Sequence, residues 1–570
     1  MFLKNKKGIV LILSLTTIMV LLIFGSIFIF RTITEKNFAD RERLLEQAFY
    51  LADGGCQEGL NQIDTFINTD LMTTVNDTNP QVVAADAQSY VTSSDGLGFL
   101  IEYAKNTGTS QFTLDGNEAI YESSSMNLGN GTYQYQIKVW EKGNPILVNV
   151  DTWDFPYFYR IETTGLISGV KRTISLLGDF TVRVQRDNFA KFALFTDIHT
   201  LKPEDGGNNV WFTDKTNFAG PLHTNQRYNF AFNPGAIFDG AVTQHYDTAR
   251  FYNLGSPVLR NDDHNSDRDV PTFNAGFTRS ADEITLASSV QKEDLIDQAT
   301  GSQNFSGNGI FIANNGTALT GGIFIRGNAS ISMSVDGGNH AVYAITEGAT
   351  TKIITVDKDN DQTTILTVGS GTETFSGIPD GLDDLGTIMH VEGSVTSLGG
   401  TVQNGTELTI STENDLIITD HILYSNYTPA VGNPGDAGYV PPNAQGATNL
   451  LGLISWDDDV RIATTAPDDI NVHGIIMARD GVLQVDDYDD TGVGSRGVAT
   501  LLGGVITEYY GGFGLFNGNT GQQIAGYGRN FVYDSRTLLG KSPPYYPSMQ
   551  TFVAFTNDIT DKLAWKEGSF

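Results

Sequence analysis

Residues with the types and spacing for chemistry are few. The acidic runs "WDDDV" (456–460) and "DDYDD" (486–490) place carboxylates close together, as a glycosidase does when one acts as general acid and another as base or nucleophile. Between strands such runs are ordinarily solvated turns, and that is the expectation here. "DKDND" (357–361) has the acidic alternation of a calcium loop, but Gln362 stands where the turn glycine belongs and Val368 where the bidentate glutamate belongs. It reads as a hairpin tip between "IITV" and "TTILTV". Gly540-Lys541-Ser542 imitates the end of a phosphate loop, yet Ser535 replaces the first glycine and prolines follow where a helix should start. H-E-x-x-H and G-x-S-x-G are both absent. His223, in "GPLHTN", could act as ligand or base; in a turn beside Thr224 and Asn225 it is expected to hold the backbone by hydrogen bonds instead. Cys56 is the single cysteine, which excludes an intramolecular disulfide and a cysteine-rich metal site. "LADGGC" superficially matches a lipid-attachment sequence, but it lies far beyond the apolar run, with Asp53 three residues before the thiol, so a packed or free thiol is expected. Together these features imply no catalytic centre, no cofactor and no metal, hence no enzyme.

The elements that would position any such residue begin with an apolar run. Ile9 to Phe30 would form a helix of about 33 Å, enough to cross a hydrocarbon core of about 30 Å. It ends in Ile27-Phe28-Ile29-Phe30 and Arg31 rather than in the small residues of a signal-peptidase site. Lys4, Lys6 and Lys7 precede it and only Arg31 follows directly, which keeps the N-terminus in the cytoplasm and sends the rest outward. From Thr32 to about Asp64 there is no proline, and Phe38, Leu44, Leu45, Ala48, Leu51 and Ala52 recur at helical spacing. The spacing predicts one long helix leaving the membrane, weakened distally by Gly54, Gly55 and Gly59.

The leader "KKG", the apolar run that starts at once and "RERLLEQAFYLADGGCQEGL" resemble the N-terminus of PilX-like minor pilins and the related pseudopilins. The resemblance implies cleavage by a prepilin peptidase between Gly8 and Ile9. Leu13 would then be the fifth residue of the mature chain, where most major pilins carry glutamate; the departure favours a tip or accessory role over a bulk shaft role. "YFYRIETTGLISGVKRTISLLGDFTVRV" (157–184) alternates around a glycine turn as a half-buried hairpin does. With "GTYQYQIKVWE" (131–141) it resembles the small sheet that packs on a pilin helix. "GPLHTN", with Gly220, His223 and Asn225, and the closing "GYGRNFVYDSRTLLGKSPPYYP" resemble segments of a poorly characterised class of pilus-associated ectodomains with no established chemistry.

Composition describes the bulk of the chain. Of 570 residues 62 are glycine, and short Val/Ile/Phe/Thr runs point to turn-rich β structure. Acidic residues number 66 against 35 basic, a net charge of -31, which opposes nucleic acid and anionic lipid as ectodomain partners. "FIRGNAS" (324–330) and "HVEGSVT" (390–396) share a layout, and with "KIITV", "TILTV", "ELTIST" and "LIITDHILYS" they predict short strands that must stack to bury their faces. No fixed period links them, so a β-solenoid and a layered β-sandwich both remain open.

The expected fold class is α+β, a long N-terminal transmembrane, pilin-like helix with a small antiparallel sheet, then a large β-rich ectodomain. The expected organisation is a leader (1–8), a transmembrane and stalk helix (9–64), a pilin-like region (65–185), a β-rich region with GPLHTN (186–304), stacked short strands (305–427), an exposed loop (428–447) and a C-terminal β-rich region (448–570). The function this implies is a minor-pilin-like subunit of a type IV pilus or type II secretion-like filament, active in assembly or tip display. Its partners would be other pilins, the assembly machinery, the peptidase, the inner membrane and a surface ligand. The alternative is an anchored envelope protein that binds or degrades polysaccharide.

Overall fold

The computed structural model describes residues 6–71, 111–149, 152–213, 216–231, 235–253, 256–264, 269–434, 436–517, 522–556 and 564–568. Of the expectations above, the leader up to Asn5 and the stretch 72–110 of the pilin-like region lie outside the described residues. The chain divides into two compact units, Met1–Arg186 with Gln550–Phe570, and Asp187–Met549.

In the first unit one helix, α1, runs from Lys6 to Thr65 and continues as a π-helical turn over Phe66–Leu71. Its distal half packs on an antiparallel sheet in the strand order Thr113–Asp115, Glu118–Glu122, Gly131–Glu141, Thr152–Ile167, Val170–Asn188 and Ser548–Thr556. The hairpin expected at 157–184 is present, with every residue from Thr152 to Ile167 paired to Gln185 back to Val170 around Ser168-Gly169. Alternation buries Tyr135, Ile137, Val139, Tyr157, Tyr159, Ile161, Leu176 and Phe180 against Cys56, Ile63 and Phe66 of the helix side. Of the two expectations for Cys56, a packed or a free thiol, the structure has it buried in this core.

Three features differ from the sequence reading. Gly55 and Gly59 do not weaken the helix end; they are what lets it approach. A Cβ at Gly55 would lie 2.5 Å from Thr163 Cγ2, and one at Gly165 of the sheet 2.1 Å from the Ala48 carbonyl oxygen. Tertiary packing outweighs a propensity cost of about 1 kcal/mol per glycine. Phe38, the first of the apolar residues that recur at helical spacing, is 66 % exposed, because the sheet reaches the helix only from about Leu44 onward. The sheet is also larger than expected: nine strands belong to it, two of them, Ser548–Thr556 and Ala564–Glu567, supplied by the C-terminal residues.

The second unit is a stack of parallel layers. One ladder runs through Phe277–Thr278, Val242–Gln244, Leu222–Thr224, Leu194–Ile198, Ser495–Tyr509, Asn471–Ala478, Leu450–Ser455, Glu407–Thr412, Thr387–Glu392 and Leu319–Arg326, each parallel to the next. Another joins Ala329–Val335, Val395–Val402, Leu416–Tyr424, Val460–Ile462 and Leu483–Val485. The two similar heptapeptides lie directly over one another, with Phe324 opposite His390, Arg326 opposite Glu392 and Ala329 opposite Val395. Their shared layout is thus a layer repeat, each short strand burying its face only because a neighbour covers it. The helix Ser289–Thr300 packs on the end strand Leu319–Arg326. An antiparallel meander, Ala341–Glu347 to Gly371–Ser376, extends the other ladder's end, and the "DKDND" tip turns within it between Asp357 and Gln362 as expected.

Candidate functional site: the apolar helix half and the GPLHTN network

Every large apolar side chain from Ile9 to Phe30 is between 48 % and 71 % exposed, on all faces of the helix. Water does not tolerate such a surface, which marks a lipid or protein environment. It is the one helix among the described residues long and apolar enough to cross a membrane. Its polar groups are prepared for that setting. Ser14, Thr16, Thr17, Ser26, Thr32 and Thr34 each donate their hydroxyl to a helix carbonyl three or four residues back, at 2.7 to 3.0 Å. None of these hydroxyls needs a partner from outside, which hydrocarbon could not supply. Gly8 and Ile9 are exposed in the first helical turns with nothing within 4 Å of a Cβ placed on Gly8, while Leu13 and Phe30 lie on the exposed surface, 66 % and 71 % accessible.

GPLHTN supplies the third strand from one end of the long ladder, between Val242–Gln244 and Leu194–Ile198, and His223 sits in the strand Leu222–Thr224 rather than in a turn. It is 1 % exposed. Ile284 orients the Asn225 amide: Nδ2 donates to the Ile284 carbonyl (2.8 Å) while Oδ1 accepts from its N–H (2.9 Å). That Oδ1 also accepts from His223 Nε2 at 2.9 Å, so the proton is on Nε2, and Nδ1 accepts from the Thr243 hydroxyl at 2.8 Å. Burial pushes the imidazole down to about 4, against the opposing Asn225 hydrogen bond. The ring stacks on Phe195 at 5.4 Å. Neutral and fully occupied, His223 joins layers through side chains, not through the backbone bonds expected of it. Gly220 is required by closeness: a Cβ there would fall 2.4 Å from the Tyr533 ring, and one on Gly240 2.2 Å from the Gly220 carbonyl.

This region also holds a repeat that sequence reasoning missed. Phe218-x-Gly220-x-Leu222 and Phe238-x-Gly240-x-Val242 lie in register, and Phe218, Phe238 and Phe273 stack at 6.1 and 5.4 Å. The F-x-G-x-apolar spacing was the available signal.

The run 486–490 is an exposed turn as expected, with Asp487, Asp489 and Asp490 at the surface, whereas 456–460 is not a simple solvated turn. Trp456 is 1 % and Asp459 7 % exposed. Asp459 Oδ1 accepts from Lys202 Nζ at 2.7 Å and from the Val482 N–H at 2.9 Å. Carboxylate oxygens of Asp415, Asp458 and Asp459 lie within 4.8 Å of one another, and Arg461 bridges Asp415 and Asp486 at 3.1 and 2.8 Å. Burial, then Asp458, raises the Asp415 carboxyl above its usual range. Lys202 and Arg461 supply the countercharge of this trio. A cavity of about 250 Å³ is lined by Asp197, Glu283, Asp480 and Glu508 with Arg479; Asp197 accepts from Asn225 Nδ2 at 2.6 Å, which ties its wall to GPLHTN.

The closing segment explains itself in the same way. Arg536 pairs with Asp534 at 2.6 Å and donates to the Ala447 and Asn449 carbonyls at 2.9 and 2.7 Å, clamping the end of the exposed 428–447 excursion.

Residues 153–245 match a family described as "Domain of unknown function (DUF4900)". No curated protein matches the sequence. Among solved structures, the competence-associated pilin ComZ from Thermus thermophilus aligns over 92 % of this chain and 98 % of its own, at 11 % identity and a TM-score of 0.30. A superposition that loose carries no argument about fold or role.

Proposed function

We propose that this chain is a minor-pilin-like structural subunit of a type IV pilus or type II secretion-like filament. The observation that carries the reading is α1 itself, continuous from Lys6 to Thr65, apolar and exposed on all sides in its first half and seated on an antiparallel sheet in its second. In the precursor, Ile9 to Phe30 spans the inner membrane with the β-rich part outside the cytoplasm. A prepilin peptidase cuts between Gly8 and Ile9. On assembly the same apolar surface passes into a helical bundle with other pilins, exchanging lipid for protein contacts without exposure to water. The large β-rich unit is then displayed for assembly priming or adhesion. Leu13, in place of glutamate, supports an accessory or tip position.

The test is fractionation with and without the assembly machinery. The chain should be in the inner-membrane fraction without it, and partly in sheared filaments with it; a chain found only in membranes under both conditions overturns the reading. The second reading, an anchored polysaccharide-binding protein, has its specific support in the cavity carboxylates, and polysaccharide binding lost on Glu508→Gln would favour it.

A further inference from the structure

The C-terminal residues make a small and peculiar contact. Ala564–Glu567 forms a four-residue strand on the edge of Val170–Asn188, antiparallel, with Ala564 opposite Leu177, Trp565 opposite Leu176, Lys566 opposite Ser175 and Glu567 opposite Ile174. The Gly568 N–H donates to the Thr173 carbonyl at 2.8 Å, and Ser175 Oγ donates to the Gly568 carbonyl at 2.7 Å. Arg172 pairs with Glu567, and the Trp565 ring meets Phe49 of α1 edge-on at 6.1 Å. Trp565 stays 49 % exposed, and Lys566 and Glu567 are exposed as well.

An edge strand exposes a row of backbone donors and acceptors that will pair with any suitable extended segment. Here the covering segment is short, half-exposed and held by contacts that a second chain could make identically, which is the condition for low-cost strand exchange. Its anchors are specific to this chain: an aromatic for Phe49, a carboxylate for Arg172, and a small residue at the outset.

We propose that the edge of Val170–Asn188 at Ile174–Leu177 is a strand-acceptor site for the C-terminal strand of a second copy of this chain, occupied in the single chain by its own Ala564–Glu567. The inference is independent of cleavage at Gly8 and of the membrane role of α1.

Two experiments on the detergent-solubilised full chain test it. In the first, a chain ending at Thr556 is titrated with a labelled peptide of residues 561–570. Saturable binding is expected, and binding to the intact chain should be weaker by about tenfold or more, because a tethered strand competes at an effective concentration of about millimolar. Absence of binding to the shortened chain, with its circular dichroism intact, overturns the acceptor site. In the second, Ser175→Cys and Lys566→Cys are placed in a Cys56→Ser background. Directly opposed residues are close enough for a disulfide, so the double variant should close within one chain, which establishes folding and register. Mixing the two single variants under oxidation should then give a disulfide-linked dimer; intrachain closure without any mixed dimer overturns the exchange between copies.

Discussion

Single residues in this protein act mainly through burial. Arg536 is the clearest case, since Asp534 beside it is 2 % exposed and has its carboxylate satisfied by that guanidinium. Arg536→Ala leaves a buried charge unpaired and two carbonyls unserved, and is expected to cost about 3–5 kcal/mol in equilibrium denaturation. Arg31→Ala, which removes the exposed pair with Glu35, should cost at most about 1 kcal/mol. Histidines give the pH dependence. Burial lowers His199, His390 and His473 to about 3 and His223 to about 4, whereas in the unfolded chain each titrates near 6.5. Between those limits the unfolded chain takes up protons that the fold refuses, so this contribution to stability is complete above about pH 6.5 and declines as pH falls. Asp380, raised to about 6 by burial, works in the opposite direction. The discriminating measurement is therefore His473→Gln: the variant's denaturation midpoint should change less between pH 7.5 and pH 5 than the parent's.

At the scale of elements, close approach governs what alternation and spacing began. The sheet lies on α1 because Gly165 presents bare backbone to Ala48 and Gly55 presents bare helix to Thr163 and Tyr133. Gly165→Val must move helix and strand apart, an overpacking cost of about 1–3 kcal/mol; thermal unfolding should fall accordingly, and Gly169→Ala in the open hairpin turn provides a milder comparison, with nothing within 4 Å but a left-handed φ of 81°. α1 and the hairpin were legible in the sequence, because the absence of proline, the helical spacing and the strict alternation are local signals. The role of the helical glycines was not, since propensity describes an isolated helix and says nothing of a surface it must touch. His223 was misplaced for a related reason: Pro221 and Asn225 suggest a turn, while the layers above and below Leu222–Thr224 hold it extended.

For the whole molecule, stacking was predictable and its order was not. Met389 pairs with Ile410, Ile410 with Leu453, Leu453 with Ile476 and Ile476 with Val505, so the connections between layers differ widely in length and no period survives in the sequence. Leu194–Ile198 pairs with Val505–Tyr509 across most of the second unit's length, a partnership that no local pattern encodes. The apolar half of α1 is the opposite case, written plainly in consecutive residues and left uncovered by the fold. Its purpose, transfer from membrane to filament after removal of a leader, is the central claim, and the mass of the intact chain tests it most directly. Produced with an active prepilin peptidase, the protein should lack residues 1–8 and begin at Ile9, and without the peptidase it should keep them. A chain that retains its leader in both cases, or is cut after Phe30, would contradict the account.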